Sequence, residues 1–382
     1  MANTLDTITV KTQFGLEEVL AEELRALGAG EVEVLNRAVQ CKGDPALLYK
    51  CNLHLRTALR VLVPIATFQA RNEQELYEQV RDIPWGRYLT PRKTFAIDGT
   101  SHSDVFTHSK FIALKTKDAI ADQFRDRFGT RPSVDTEDPD LRINLHVYDR
   151  TCTLSLDSSG RPLDRRGYRL ARTLAPINEV LAAGIVKMTG WNGGPGTFSD
   201  PMCGSGTFAI EAAMMAAHIP PGMGRHFIFE KWRDFDASLW KQIRSEAEAG
   251  IVRQPKLELF ASDLDSHALD RAVENAERAG VRQLIKFKKQ DFLRSEAPGD
   301  RGTIVMNPPY GERLPVEEIQ QFYGEIGTHL KHHWAGYDAW IISGDLQAIK
   351  LIGLRPSRKV PLFNGSLECR LYKFELYSGS RR

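Results

Sequence analysis

The segment from Phe198 to Ala213 changes from a short apolar strand into a glycine-rich turn and then into a helical run. Further apolar strands are predicted near residues 257–262, 284–288, 303–306 and 338–343, with helical stretches between them. Alternating strands and helices of this kind predict a parallel, doubly wound α/β sheet. Ligands of such sheets bind outside the carboxyl ends of the strands, so the residues that follow each strand carry the functional information.

The first strand ends at Asp200, and the turn after it predicts a loop that binds a nucleotide-like cofactor. Gly204 and Gly206 let the backbone approach a ligand closely, and a carboxylate at Asp200 suits the cationic amino-acid part of S-adenosylmethionine. The segment lacks the G-x-G-x-x-G dinucleotide pattern, because Phe208 and Ala209 follow the second glycine. For this segment alone, a purely structural turn is the alternative.

The next two strands also end in acidic residues. Asp263 closes the second strand and is the expected partner of the ribose hydroxyls, with Asp265 as a second candidate. Capping of the following helix by Asp265 or Ser266 is the alternative. Asp291 and Phe292 follow the third strand, where the carboxylate suits the adenine amino group and the ring suits the adenine face. An exposed turn aspartate beside a core phenylalanine is the ordinary alternative.

The fourth strand ends in the turn Asn307-Pro308-Pro309-Tyr310. An exocyclic amine on guanine or adenine is a weak nucleophile because its lone pair is delocalised into the ring. If the Asn307 side-chain oxygen and the Pro308 carbonyl accept its two hydrogens, the nitrogen can pyramidalise and direct its lone pair at a sulfonium methyl. The turn therefore predicts amine methylation without a strong general base.

Tyr310 is expected to stack on a target base that is splayed from its neighbours. The alternatives are a core or interface tyrosine and, for the whole turn, a stiff connector. We expect the first and fourth strands to be neighbours where the strand order reverses, so that cofactor and amine meet in one crevice.

The first 160 residues predict two small α+β modules. Asp44 is the expected N-cap of a helix that has Pro45 at its first position. A longer helix is predicted over Ser109–Phe128. The apolar stripe expected to face the core from this helix consists of Phe111, Leu114, Ile120, Phe124 and Phe128.

Two other segments allow more than one interpretation. The basic segment that surrounds Tyr168 either binds phosphates or forms a solvated linker. The insert 218–255 either covers the crevice or packs as an accessory helix. The basic residues are Arg165, Arg166, Arg169 and Arg172, and the insert's aromatic residues are Phe227, Phe229, Trp232, Phe235 and Trp240.

Composition excludes several classes of protein. A formal net charge of +2, from 51 Lys plus Arg and 49 Asp plus Glu, gives no general nucleic-acid footprint, so any RNA-binding surface must be local. The five cysteines form no C-x-x-C pair, which favours reduced thiols over a disulfide framework. His329, His332 and His333 lack a matching carboxylate pattern, so no metal is expected. With no signal-like or membrane-spanning stretch, we expect a cytoplasmic protein without a membrane partner.

The chain resembles the bacterial large-subunit ribosomal RNA guanine-N2 methyltransferases, which join a THUMP RNA-binding domain to a class I methyltransferase domain. The resemblance is nearly full-length. It is carried by Phe14-Gly-Leu-Glu-Glu-Val-Leu, Lys117-Asp-Ala-Ile-Ala-Asp, Arg166-Gly-Tyr-Arg, Ala175-Pro-Ile-Asn-Glu-Val-Leu-Ala-Ala, Asp200-Pro-Met-Cys-Gly-Ser-Gly-Thr, Asn307-Pro-Pro-Tyr-Gly-Glu-Arg-Leu and Asn364-Gly-Ser-Leu-Glu-Cys.

The resemblance implies an α/β, Rossmann-like class I methyltransferase domain at 161–382, preceded by an α+β ferredoxin-like domain at 1–60 and a THUMP domain at 61–160. It implies S-adenosylmethionine as the cofactor and 23S ribosomal RNA or another structured RNA as the partner. The implied site consists of Asp200, Gly204, Gly206, Asp263, Asp291 and the turn Asn307–Tyr310.

Many relatives carry a second methyltransferase fused downstream, whereas this chain resembles only their first half. Three other functions stay open: transfer-RNA guanine-N2 methylation, DNA adenine-N6 methylation, and a non-catalytic role as an RNA-binding assembly factor.

Overall fold

The computed structural model describes residues 6–169, 177–309 and 316–377. The chain divides into two compact units. The first unit contains the residues up to Thr12 together with Ala21–Leu163 and Arg225–Arg244, and the second contains Gln13–Leu20, Asp164–Gly224 and the residues from Ser245 onward.

The described residues form nine α-helices, one of which begins with the cap that the sequence predicts. Asp44 accepts the Leu47 N–H at 2.8 Å and Pro45 is the first helical residue, as expected. The helices are α1 Glu17–Ala26, α2 Pro45–His54, α3 Glu73–Asp82, α4 Ser109–Phe128, α5 Glu179–Thr189, α6 Thr207–Ala216, α7 Ala237–Ala249, α8 Ser266–Arg278 and α9 Val316–His333.

The first unit contains one eight-stranded sheet, in the order β2-β3-β1-β4-β8-β7-β5-β6. Its long strand β4 pairs with β1 on one side and with β8 on the other. The predicted boundary between residues 60 and 61 therefore lies inside a strand that both predicted modules share. The strands are β1 Asp6–Thr12, β2 Gly30–Leu35, β3 Ala38–Gly43, β4 Ala58–Gln69, β5 Thr94–His102, β6 Ser133–Val134, β7 Leu141–Tyr148 and β8 Thr151–Asp157.

Helix α4 has the predicted bounds but buries a different face. Ile120 and Phe124 are buried as expected, whereas Phe111, Leu114 and Phe128 are 42%, 48% and 48% exposed, so the predicted stripe is wrong at these three positions. The reason is the close approach of α4 to β5. A Cβ atom on Gly99 would lie 2.5 Å from the Ser109 carbonyl oxygen. The start of α4 therefore turns Ile112 and Ala113 towards β5, which leaves their neighbours Phe111 and Leu114 on the outer face.

Residues 225–244 of the aromatic insert belong to the first unit. Tyr49 of α2 stacks on Phe229 with ring centroids 4.5 Å apart, and Trp240 meets Phe229 edge-on at 5.1 Å. The insert supplies an accessory helix, α7, as one interpretation expected. Its rings complete a core around Tyr49, a role that neither interpretation anticipated.

The second unit contains a seven-stranded sheet in the order β11-β10-β9-β12-β13-β15-β14. Strands β9 to β13 are mutually parallel, as the sequence predicts, and β15 runs antiparallel to both β13 and β14. The strands are β9 Thr197–Asp200, β10 Glu258–Asp263, β11 Lys286–Lys289, β12 Gly302–Met306, β13 Tyr337–Ser343, β14 Arg358–Asn364 and β15 Leu367–Glu375.

An N-terminal segment, Gln13–Leu20, also belongs to the second unit. Phe14 meets Phe363 of β14 edge-on at 5.6 Å. Leu16 is fully buried, and a Cβ atom on Gly184 of α5 would lie 2.5 Å from its Cδ2 atom. The fold of the second unit is thus completed by residues that precede the first unit's main segment.

None of the described helices is long and apolar enough to cross a membrane. All five cysteines are buried, and each of them lies outside any disulfide.

Candidate active site

Four strands of the second unit bring their polar ends to one edge of the sheet. Ser199 of β9 lies beside Phe260 of β10 on one side and beside Ile304 of β12 on the other. At the end of β10, Asp263 lies beside Lys289 of β11. The residues that end or follow these strands are therefore ordered across the edge as Asp291, Asp263, Asp200 and Asn307. This confirms that the first and fourth strands are neighbours.

Asp200 is fully buried, and neither of its carboxylate oxygens has a hydrogen-bond partner among the described residues. Burial, and then the nearby Asp263 carboxylate, raise the pKa of Asp200 well above its usual range. The Ala209 backbone N–H opposes this shift without reaching hydrogen-bond geometry. A buried carboxylate without a partner is costly, so this position fits a ligand that carries a positive charge.

The glycine loop after Asp200 adopts backbone conformations that favour glycine. Gly204 and Gly206 have φ angles of +54° and +80°. The Gly204 N–H donates to Asp263 Oδ2 at 2.8 Å, which ties the loop to the end of β10. A Cβ atom on Gly206 would lie 3.0 Å from the Ala272 Cβ of α8. The second glycine therefore serves helix packing as well as the turn.

Asp263 and Asp265 have different tasks at the end of β10. Asp263 accepts the Gly204 N–H with one oxygen and the Asp265 N–H, at 3.0 Å, with the other. A carboxylate has about four lone-pair sites, so Asp263 retains capacity for ribose hydroxyls. Asp265 caps α8 by accepting the His267 N–H at 2.9 Å. The capping alternative thus accounts for Asp265 without a ligand.

Asp291 and Phe292 lie where β11 leads into a short 3₁₀ turn. Asp291 is half-buried and accepts the Leu293 N–H at 3.0 Å. The Phe292 ring is 3% exposed and packs edge-on against His329, with the centroids 4.9 Å apart. Its contacts are those of a core residue, so its contact with adenine stays a prediction.

The turn after β12 offers a second polar atom without a partner. The Oδ1 atom of Asn307 is buried and accepts no hydrogen bond from the described residues. Pro308 is buried beside it. Tyr310, the predicted stacking residue, lies outside the described residues. An amide oxygen in this state fits an acceptor for an amine hydrogen that the ligand supplies.

The basic segment that surrounds Tyr168 is neither exposed to solvent nor available to bind phosphate at Arg166. The Arg166 side chain is 2% exposed, and its Nε lies 3.4 Å from Oε1 of the fully buried Glu211 of α6. The Tyr168 hydroxyl donates to the same oxygen at 3.0 Å. Phosphate binding and a solvated linker are therefore both wrong at Arg166, because its side chain is buried against Glu211. Nothing in the sequence indicates this pairing. Arg172 lies outside the described residues.

The histidines of α9 have local partners. His329 Nε2 lies 2.8 Å from the Ser295 carbonyl oxygen, and His333 Nδ1 lies 2.8 Å from Glu296 Oε1. Within the described ranges, no group of three or more His, Cys, Asp or Glu side chains is arranged to hold a metal ion.

Family models match three parts of the chain. The model for the RMKL-like methyltransferase domain matches residues 166–373. The THUMP domain model matches residues 70–157, and the RlmL ferredoxin-like domain model matches residues 7–62.

Individual relatives are similar over nearly the whole chain. A Synechocystis protein named as a candidate RNA methyltransferase is 42% identical over 365 residues, which cover 95% of each protein. The ribosomal RNA large subunit methyltransferase K/L of Syntrophotalea carbinolica is 41% identical, over 95% of this chain and 52% of its own length. This chain therefore spans about half the length of the K/L relatives it matches.

A solved structure extends the similarity to three dimensions. The crystal structure of SMU.472, a candidate methyltransferase in complex with SAH, is 30% identical and gives a TM-score of 0.88 over 99% of this chain and 100% of that one. The chain therefore belongs to the family of RMKL-like methyltransferases, with RlmL ferredoxin-like and THUMP domains ahead of its methyltransferase domain.

Proposed function

We propose that this protein transfers a methyl group from S-adenosylmethionine to the exocyclic N2 amine of a guanosine in 23S ribosomal RNA. The observation that carries the proposal is a pair of buried acceptors, Asp200 and Asn307, at the ends of the adjacent strands β9 and β12; among the described residues neither has a hydrogen-bond partner. One fits the cationic end of the cofactor, and the other fits the amine that receives the methyl group.

The residues present fit the cofactor. The buried Asp200 carboxylate provides the counter-charge for its ammonium group, and the glycine loop after it leaves room for close approach of the backbone. Asp263 and Asp291 lie further along the same edge, where ribose and adenine would follow. When bound, S-adenosylmethionine supplies an electrophilic methyl carbon on a sulfonium sulfur. SMU.472 was solved with SAH, the product of such a transfer.

Asn307 then orients the amine. Its Oδ1 atom, with the Pro308 carbonyl, accepts the amine hydrogens and so directs the nitrogen lone pair towards the methyl carbon. S-adenosylmethionine would supply the methyl group for the new C–N bond, and its sulfur would keep the electrons of the C–S bond. The nitrogen afterwards loses one proton to solvent. Asn307 is a positioning acceptor here, and no side chain is required to act as a strong base.

The RNA class follows from the domains and the relatives. A THUMP domain match precedes the catalytic domain, and the Synechocystis relative is named for RNA methylation. The K/L relatives are named for large-subunit ribosomal RNA, and the sequence resemblance points to guanine N2. We also propose the domain division 1–60, 61–160 and 161–382, which lies close to the three matched ranges.

The Asn307→Ala variant tests the division of labour within the site. We expect methyl transfer to fall by about a hundredfold or more, because the amine loses the acceptor that orients it. Binding of S-adenosylhomocysteine, measured by calorimetry, should change by less than about twofold, since Asp200 and the glycine loop are intact. Loss of this binding in a folded variant would contradict the assignment of Asn307 to the amine.

The substrate is tested by deleting the gene and comparing modified nucleosides in purified 23S ribosomal RNA and transfer RNA by mass spectrometry. Loss of N2-methylguanosine from 23S ribosomal RNA, restored by the wild-type gene and not by Asn307→Ala, is the expected result. Loss from transfer RNA instead would favour the transfer-RNA alternative. Unchanged N2-methylguanosine in both would overturn the proposal.

A further inference from the structure

Arg169 connects the segment before the catalytic sheet to the start of α6. Its Nη2 donates to Thr207 Oγ1 at 2.9 Å and to the Ile177 carbonyl oxygen at 3.0 Å. Its Nε lies 3.2 Å from Glu179 Oε1 of α5, and the two side chains are 13% and 11% exposed. One guanidinium thus joins the first turns of two helices, through a hydrogen bond from Nη2 to Thr207 and an ion pair at Nε that lacks hydrogen-bond geometry.

The partner on α6, Thr207, directly follows the cofactor loop. Gly206 is the N-cap of α6 and has no side chain with which to accept the first N–H groups. The Ala209 N–H acts on the Asp200 carboxylate, whereas the N–H groups of Thr207 and Phe208, together with the helix dipole, favour a further anion. The unpartnered carboxylate of Asp200 lies at the other end of the same loop. The Asp200 carboxylate and the first turn of α6 thus provide one site for a cation and one for an anion, as the α-amino-acid end of a cofactor requires.

A second anchor holds α6 one turn further on. Glu211 is four residues after Thr207 and so lies on the same face of the helix. It receives the Tyr168 hydroxyl and pairs with Arg166. The short stretch Arg166–Arg169 therefore runs along one face of the first turns of α6. The ion pair with Glu179 compensates the charge of Arg169, which favours a role in geometry over one in charge.

We propose that Arg169 is a positioning residue that, through the Thr207 hydroxyl, sets the first turn of α6 so that its N–H groups receive the carboxylate of the cofactor's methionine end. This inference rests on the proposed function, because it takes S-adenosylmethionine as the ligand of the loop. We expect changes at Arg169 or Thr207 to weaken binding of the cofactor's amino-acid end and to leave binding of its nucleoside end unchanged.

The test compares two ligands by calorimetry with the full-length protein: S-adenosylhomocysteine, and 5′-methylthioadenosine, which lacks the amino-acid end. Arg169→Met and Thr207→Val should each weaken S-adenosylhomocysteine about tenfold, as expected for one lost hydrogen bond to a charged group. Binding of 5′-methylthioadenosine should change by less than about twofold. Thr207→Ser, which keeps the hydroxyl, should restore S-adenosylhomocysteine affinity.

Arg282→Met is the matched control, since Arg282 also donates to a backbone carbonyl, that of Ile285, at 3.3 Å. It should leave both affinities unchanged. Equal weakening of the two ligands, or no weakening of either, would overturn the role of Arg169. If Arg169→Met does not fold, the Thr207→Val and Thr207→Ser pair decides the question alone. Failure of the wild-type protein to bind S-adenosylhomocysteine would instead count against the proposed function.

Discussion

At the scale of single residues, we expect Asp200 to couple the stability of the fold to ligand binding. Its carboxylate is fully buried, no described residue forms a hydrogen bond with it, and its pKa is raised well above the usual range. The ionised form therefore destabilises the folded protein until a cation arrives. Such a group is typical of binding sites, where stability is given up for affinity.

Asp200→Asn is expected to raise the unfolding temperature of the ligand-free protein by at least about 2 °C near neutral pH and to abolish S-adenosylhomocysteine binding. Because the pKa of Asp200 is higher in the folded than in the unfolded state, the carboxyl group costs no stability at pH values below its unfolded-state pKa. The cost grows as the pH rises from there towards the folded-state pKa. The stabilisation by Asn should therefore shrink as pH falls into the ordinary carboxyl range. Scanning fluorimetry across pH measures this, and a variant less stable than the parent at neutral pH would contradict it.

The alternatives left open at the residue level are separated by hydrogen bonds. Asp265 caps α8, and Asp263 holds the glycine loop through Gly204. The sequence predicts Asp265 or Ser266 as the alternative cap of α8, but which oxygen accepts which N–H depends on the turn after β10. Phe292 was likewise compatible with a ligand or with the core, and its burial reflects α9, a distant segment.

At the scale of elements, the glycine loop connects β9 to α6 and packs against α8. Gly206 combines a φ of +80° with a Cβ position 3.0 Å from Ala272. Gly190, at the end of α5, has a similar φ of +77°, but no atom lies within 4 Å of its Cβ position. The pair separates the cost of backbone conformation from the cost of crowding α8.

Both Gly206→Ala and Gly190→Ala should lose about 1–2 kcal/mol of unfolding free energy to the left-handed backbone conformation. Gly206→Ala should lose more, and it should also weaken S-adenosylhomocysteine binding because α8 and the loop must separate. Chemical denaturation and calorimetry report the two effects. Equal stabilities together with unchanged binding would show that the contact with Ala272 does not shape the loop.

Helix α4 shows that a local sequence pattern can predict the bounds of a helix and still miss the face that it buries. The bounds of α4 follow from its composition, but its buried face was predicted incorrectly at Phe111, Leu114 and Phe128. Apolar residues occur on more than one face of this helix, and the choice depends on Gly99 of β5, to which α4 packs closely. Such a contact joins segments that local periodicity treats separately.

At the scale of the whole molecule, the second unit includes a segment from the start of the chain. Leu16 is fully buried against Gly184, and Phe14 packs on Phe363. The family model for the methyltransferase domain begins only at residue 166. A catalytic fragment cut at that boundary would leave these contacts unmade.

Leu16→Ala should destabilise the second unit by about 2–5 kcal/mol, as for other buried leucines. The control Leu351→Ala, at a leucine that is 45% exposed, should cost less than about 1 kcal/mol. A fragment that starts at residue 164 should unfold at a lower denaturant concentration than the corresponding transition of the full chain. Equal midpoints for fragment and full chain would show that Gln13–Leu20 contributes nothing to this fold.

The sequence by itself determined the parallel sheet, the glycine loop, the acidic strand ends and the position of Asn307 at the end of β12. These features are local, because each depends on a strand and the few residues that follow it, and parallel strands bring their ends together at one edge. Tertiary structure alone decided that Asp200 and Asn307 have no hydrogen-bond partner in the described part of the chain, that Arg166 pairs with Glu211, and that Arg169 donates to Thr207. Each of these depends on which distant atoms come within hydrogen-bond reach, and spacing along a chain does not contain that information.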